Sequence, residues 1–571
     1  MYSHRYYSHK ACLGIPLFGI PLTALLLASC GNEQNDSRHA FATNALATLP
    51  TRQEVIIGNY HEPVSLDPHH SSSSNDTVVI RDLLEGLVLH GADGELIPAV
   101  AERWVTADAQ RYTFHLRRDA KWSNGDPVTS ADFVYAWRRA VNPVTASRCA
   151  EELVDTKVAN AKSIVEGKLP PEQIGVRATN AYTLEVTLEQ PVGYFVEALI
   201  SRCFLPLHLP TIEQYGSSWT GPEHFVGNGA FLLESWSVNE SLILKRNPLY
   251  READKVHLEK ITYLPIASAH TELRRYLADE IDITYSAPSE QIENLRRKRP
   301  DELLELVQPS TFGIEINHTK PPFGNPDVRR ALALALDREL LVHKVLKTGS
   351  PAYRLTPAAI HAETGQDHPW LRQSQTERER LARELYTKAG YSLKNPLRFR
   401  VFHKNNDDTH KMLLAAAAMW KEVLGAEATV QSFELKSLIP LIEQRDFDLS
   451  TRGLGASYPD SSDVLSRMLT GRPTTNGYSN PRFDELLEQA ISEQDKSVRA
   501  ELYAEAEYLL AEDMPFIPLY NRGLARLVKP HVRGYQPSPL GYQYSKDLWI
   551  NTEGNTPGKP QEEAARQGAQ L

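Results

Sequence analysis

His361, Glu363 and His368 are residue types that bind metals, and they lie close together in the chain. Their spacing does not put all of them on one helical face, and Gly365 breaks any helix between them. A solvated loop is the better reading. His69 and His70 follow Asp67-Pro68, a turn signal, and read as a surface turn rather than a metal site. The usual catalytic patterns are absent: no Gly-x-Ser-x-Gly elbow, no phosphate loop and no histidine pair flanking a glutamate at zinc spacing. No nucleophile–base pair stands out, so the chain reads as a binding protein rather than an enzyme, with no cofactor expected. Gly453-Leu454-Gly455-Ala456-Ser457-Tyr458-Pro459-Asp460 is the most suggestive run. A glycine-spaced strand end lets a second backbone approach, as in strand addition. An ordinary strand-to-loop exit fits the same residues.

The cysteines and the leader place the chain. Residues 21–30 end in Leu27-Ala28-Ser29-Cys30, after Arg5 and Lys10 and a short apolar stretch broken by Gly14, Pro16, Gly19 and Pro21. A positive start, a short apolar centre and small residues before a cut make a secretory signal. Its end resembles a bacterial lipobox, in which Cys30 would carry the lipid. Residues 1–30 are thus expected as a lipoprotein signal peptide and 31–52 as a polar tether. That gives a body in the periplasm or cell envelope, anchored to a bacterial membrane through lipid. Cys149 and Cys203 then remain as an even pair in an oxidising compartment, and the reading joins them. Two isolated thiols are the alternative. The net charge of -10, with no basic tract interleaved with aromatics, argues against nucleic acid.

A chain of 571 residues is too long for one core and implies two or three domains. Residues 54–58, 111–116, 182–188 and 242–248 have strand patterns. Residues 75–89 and 129–141 have helical ones, with Ser130 as a candidate N-cap. The second half alternates helices at 327–347, 376–389, 408–424 and 498–512 with strands at 397–402, 428–433 and 447–451. Gly390 and Gly425 stand as helix stops, and a capping box is expected at Thr376. This alternation indicates α/β lobes. The tail after residue 552 is rich in Gly, Pro, Gln and Glu and reads as disordered.

Several ordered segments together resemble the periplasmic oligopeptide-binding proteins of ABC importers. They include Ser65-Leu66-Asp67-Pro68-His69, Ala120-Lys121-Trp122-Ser123-Asn124-Gly125-Asp126-Pro127-Val128-Thr129, Asp132-Phe133-Val134-Tyr135-Ala136-Trp137, Asn228-Gly229-Ala230-Phe231 and Ala525-Arg526-Leu527-Val528-Lys529-Pro530. The resemblance implies an α/β, two-lobed periplasmic-binding-protein fold with a third domain inserted in the first lobe. On this reading lobe I comprises 53–72, 195–309 and 523–553, the inserted domain 73–194, and lobe II 310–522, with 554–571 a tail. It implies a monomer that encloses a peptide or peptide-like ligand as the lobes close and passes it to ABC importer permease subunits. A sensor, chaperone or interaction module on the same fold is the alternative.

The implied ligand-binding residues are Ser74, Cys149, Tyr285, His410, Leu435, Gly453, Gly455 and Ser457. Several depart from the family pattern. Ser457 stands where peptide binders carry an aspartate that pairs with the peptide's amino group, and Cys149 where they carry a tyrosine. Leu435 replaces a pocket tryptophan, and Ile442 and Thr451 replace arginines. A family cysteine pair corresponds to Ser310 and Gly455, while the histidine matching His410 is kept. A serine cannot neutralise an ammonium. The resemblance therefore implies a ligand whose amino end is blocked or lies elsewhere, or a peptide-like compound such as a cell-wall fragment or a glutathione-like molecule. Asp460 or a bridging water doing the aspartate's work is the alternative.

Overall fold

The computed structural model describes residues 52–552 except 72, 92, 361–366, 473–475 and 539. The expected signal and Cys30, the tether to residue 51, His361, Glu363 and the tail lie outside the described residues.

Three sheets carry the architecture. In the first, Glu54–Gly58 runs parallel to Lys260–Leu264, which pairs antiparallel with Ser241–Arg246 and through it with Phe231–Ser237. The alternation of Glu54–Gly58 turns Val55 and Ile57 inward. The second sheet is antiparallel, in the order Ala101–Thr106, Arg111–Leu116, Thr183–Thr187, Val176–Asn180. Tyr112, Phe114 and Leu116 alternate onto its buried face, in one core with Phe133 and Trp137 of the helix Ser130–Val141. The third sheet has six strands, in the order Ser350–Pro351, Phe516–Leu527, Leu303–Ile316, Leu449–Gly455, Arg398–Lys404, Glu427–Phe433. Its second core takes in Leu332 of Pro326–Leu334, Leu385 of Gln375–Lys388 and Trp420 of Asp407–Leu424.

Two strands are long. Leu303–Ile316 pairs with Phe516–Leu527 from Leu303↔Leu527 to Val307↔Gly523; the register then lapses and resumes at Thr311↔Asn521. On its other edge Leu303–Ile316 pairs with Leu449–Gly455, with Ser310 opposite Gly455. The two positions that match the family cysteine pair are therefore directly cross-strand here.

Some elements differ from the sequence expectation. The helix expected over 75–89 spans Ser74–Leu83, and Val88–His90 is a strand. Every residue from Leu83 to Leu89 is buried, so apolar periodicity carried no stop signal there. Thr129, not Ser130, is the N-cap residue, in a capping box with Asp132. The capping box expected at Thr376 is formed by Ser374 with Glu377. The helix expected over 327–347 ends at Leu334 and restarts after Asp337, whose carboxylate accepts from the Leu340 N–H at 3.0 Å. The stop at Gly425 holds: it caps Asp407–Leu424 in the left-handed conformation, with φ 72°.

Candidate functional site

A cavity of about 470 Å³ opens between the helix Ser74–Leu83, the end of the strand Leu449–Gly455, the bulged part of Leu303–Ile316 and the C-terminal segment around Tyr542. Ser74, Thr77, Val78 and Arg81 line it with one helical face, spaced i, i+3, i+4 and i+7. Gly455, Ala456 and Ser457 line the opposite side. Their strand pairs with Arg398–Lys404 only at Leu449 and Ser450, so residues 451–455 have no partner strand on that edge among the described residues. An extended backbone can add there.

Ser457 is fixed through its main chain. Its N–H donates to Asp463, and its carbonyl accepts from the Tyr542 hydroxyl at 2.6 Å. Asp463 also takes Arg467 at 3.2 Å. Asp460, the alternative stand-in for the missing aspartate, does not line the cavity. Its buried carboxylate takes Arg499 Nε at 3.2 Å, the Tyr503 hydroxyl at 2.6 Å and the Ser462 N–H at 2.9 Å. Those three donors engage it outside the cavity wall, which counts against Asp460 in that role.

Among the described residues four arginines line the cavity, and no carboxylate does. Arg81 lies 3.3 Å over the Tyr542 ring. Arg202 donates to the Ser71 hydroxyl at 3.1 Å and to its carbonyl at 2.9 Å. Arg522 lies 5.5 Å over Phe312. Arg526 donates to the Tyr285 carbonyl at 3.2 Å and to the Tyr535 hydroxyl. Sequence reasoning missed all four, because they are scattered from residue 81 to residue 526 and no local pattern marks them.

Beneath the wall sit buried carboxyl groups. Burial pushes Glu272 up to about 7, against hydrogen bonds from the Tyr285 and Ser286 N–H groups. Burial also raises Asp82 to about 6, against hydrogen bonds from Tyr263 and Ser545.

Of the expected ligand residues, Ser74, Tyr285, Gly455 and Ser457 line the cavity. Cys149 does not: it is buried and joined to Cys203, with Cα atoms 5.2 Å apart. Ser201 and Arg202, next to its partner, do line it. His410 is turned to His403, 3.1 Å away. Leu435 begins the helix Leu435–Glu443 with 46% of its surface exposed, and Gly453 is an exposed strand residue; neither lines the cavity.

The pair read as a surface turn also needs correction. His70 is exposed, but His69 is fully buried, 2.7 Å from Arg139. Arg139 grips Asp67 with two nitrogens, at 3.1 and 2.6 Å. Burial lowers His69 to about 3, and the neighbouring Arg139 charge adds to this, so its ring is neutral. His368, read as solvated, is 5% exposed and lies 2.6 Å from Glu512.

Residues 95–476 match the family model "Bacterial extracellular solute-binding proteins, family 5 Middle". The periplasmic oligopeptide-binding protein OppA of Salmonella typhimurium is 38% identical over 533 residues, 93% of this chain and 97% of that protein. The solved murein tripeptide binding protein MppA of Escherichia coli superposes with a TM-score of 0.81 at 35% identity, covering 88% of this chain and 99% of that one. OppA of Haemophilus influenzae, solved in complex with RPPGFSPFR, gives a TM-score of 0.79 at 36% identity, over 88% and 99% of the two chains. With its open-edged strand beside a walled cavity, this chain belongs to the family 5 extracellular solute-binding proteins, the oligopeptide-binding class of ABC importer receptors.

Proposed function

We propose that the chain is an extracytoplasmic receptor that holds a peptide or peptide-like ligand in the cavity beside Gly455–Ser457 and delivers it to an ABC importer. The observation that carries this is the unpaired edge of residues 451–455 running into a cavity of about 470 Å³. Main-chain pairing on such an edge gives affinity common to all peptides, and the walls set selectivity. In this reading the two long strands join lobe I to lobe II, and their lapse of register at residues 308–310 is the hinge. Cys30 carries a lipid that holds the body to a membrane; the mass of the mature N-terminal peptide tests that assignment.

Among the described residues the cavity wall holds no counter-charge for a ligand ammonium. Losing one partner of a buried pair costs about 3–5 kcal/mol, several hundredfold or more in affinity. Calorimetry with free and N-acetylated versions of one peptide panel reads the effect. The acetylated peptides are expected to bind more tightly, and Ser457→Asp to shift preference toward free amino ends. Micromolar binding of ordinary free-amino peptides, unimproved by acetylation, would refute this account of the amino end. A protein that carries no peptide-class molecule on gentle isolation and binds none of the panel would refute peptide capture itself.

A further inference from the structure

We infer that the cavity selects an anionic ligand, a peptide or peptide-like molecule bearing at least two carboxylates, which its four wall arginines receive. The inference rests on the peptide reading above and narrows it to a charge class. Arg81, Arg202, Arg522 and Arg526 line the cavity without a single lining aspartate or glutamate, and none is ion-paired among the described residues. Each is held by groups that orient a guanidinium without cancelling its charge: the Tyr542 face, the Ser71 hydroxyl and carbonyl, the Phe312 face, and the Tyr535 hydroxyl with the Tyr285 carbonyl.

Arginine carries five N–H donors, and the protein takes only part of that capacity here; Arg81 donates no hydrogen bond among the described residues. Planar forks with free donors match carboxylates. The arrangement stands out in a chain of net charge -10. Other arginines in this protein are closed by acids: Arg251 by Glu85 at 2.9 Å and Arg499 by Asp460 at 3.2 Å. The remaining polar wall is neutral, with Ser74, Thr77, Gln308 and Gln543. Behind it, burial pushes Glu272 up to about 7, which weakens an acid whose charge acts on Arg526. A ligand with lysine or arginine side chains would add like charge to a positive enclosure. RPPGFSPFR, held by the Haemophilus influenzae relative, is such a ligand.

Isothermal titration of the protein with N-acetylated triglutamate, trialanine and trilysine tests this. Triglutamate is expected to bind at least tenfold more tightly than trialanine, with trilysine weaker still. Arg81→Gln should lower triglutamate affinity more than trialanine affinity. Raising the ionic strength several-fold, which needs no variant, should do the same. Trialanine or trilysine binding as tightly as triglutamate would overturn charge selection and leave peptide capture standing. Binding of none of the three would count against peptide capture and overturn this inference with it.

Discussion

Arg139 and Arg81 are the same residue in opposite circumstances. Arg139, with Arg251 and Arg499, lies against a carboxylate in a region that holds elements together: Asp67 at 2.6 Å, Glu85 at 2.9 Å and Asp460 at 3.2 Å. Burial works to raise the Asp67 pKa, and the hydrogen bonds and charge of Arg139 outweigh it, holding the group below the usual carboxylate range. Arg81 and the other cavity arginines rest on rings, hydroxyls and carbonyls. A charge closed on a neighbour fastens the fold. A charge held in place but left open to a cavity is available to something that arrives from outside.

The largest effect that can break this contrast is on stability. Asp460→Ala strands Arg499 in a buried site, and unfolding in denaturant should show a loss of about 3–5 kcal/mol. Arg81→Gln, with no buried partner to strand, should cost about 1 kcal/mol or less. Equal losses would erase the distinction between the two regions.

The second effect sharpens it. Glu272 is 1% exposed and its folded-state pKa is raised to about 7 from an ordinary 4.5. The folded protein therefore holds this proton more tightly than the unfolded chain. Its contribution is fully present below pH 4.5 and is lost as pH rises through 7. The pH-dependent part is on the order of 3 kcal/mol. Glu272→Gln should flatten the stability profile between pH 5 and pH 8 by that order. The slope is the readout rather than the offset, because the Tyr285 and Ser286 N–H groups donate to different carboxyl oxygens and an amide keeps only one of these as an acceptor. An unchanged slope would place the titration elsewhere.

Much of the scaffold was legible because its signals are local. A short apolar run marked Glu54–Gly58, alternation marked Arg111–Leu116, and Gly425 marked the end of a helix. The two overlong helices have one cause. Leu84 to Leu89 and the leucines of residues 332–346 other than Leu340 are buried, so an apolar run continued past the real break. Asp337, with a cap's side chain, was the overlooked mark of the second break. Half of the cavity residues drawn from resemblance line the wall. The arginines were out of reach. Their meaning lies in the missing acids around them, and that is a property of space rather than of spacing.

Gln308, Pro309 and Ser310 line the cavity, and the same residues span the lapse between Val307↔Gly523 and Thr311↔Asn521. On the proposed division of lobes, the occupant leans on the pivot itself. A load at a fulcrum has almost no leverage of its own, yet it sets the angle at which two long arms stand. On that division, bulk added to a ligand beside Pro309 would be magnified at the outer rims. Two occupants differing by a small group there would offer an importer two differently angled faces, so the receptor would transmit the size of its cargo as well as its presence.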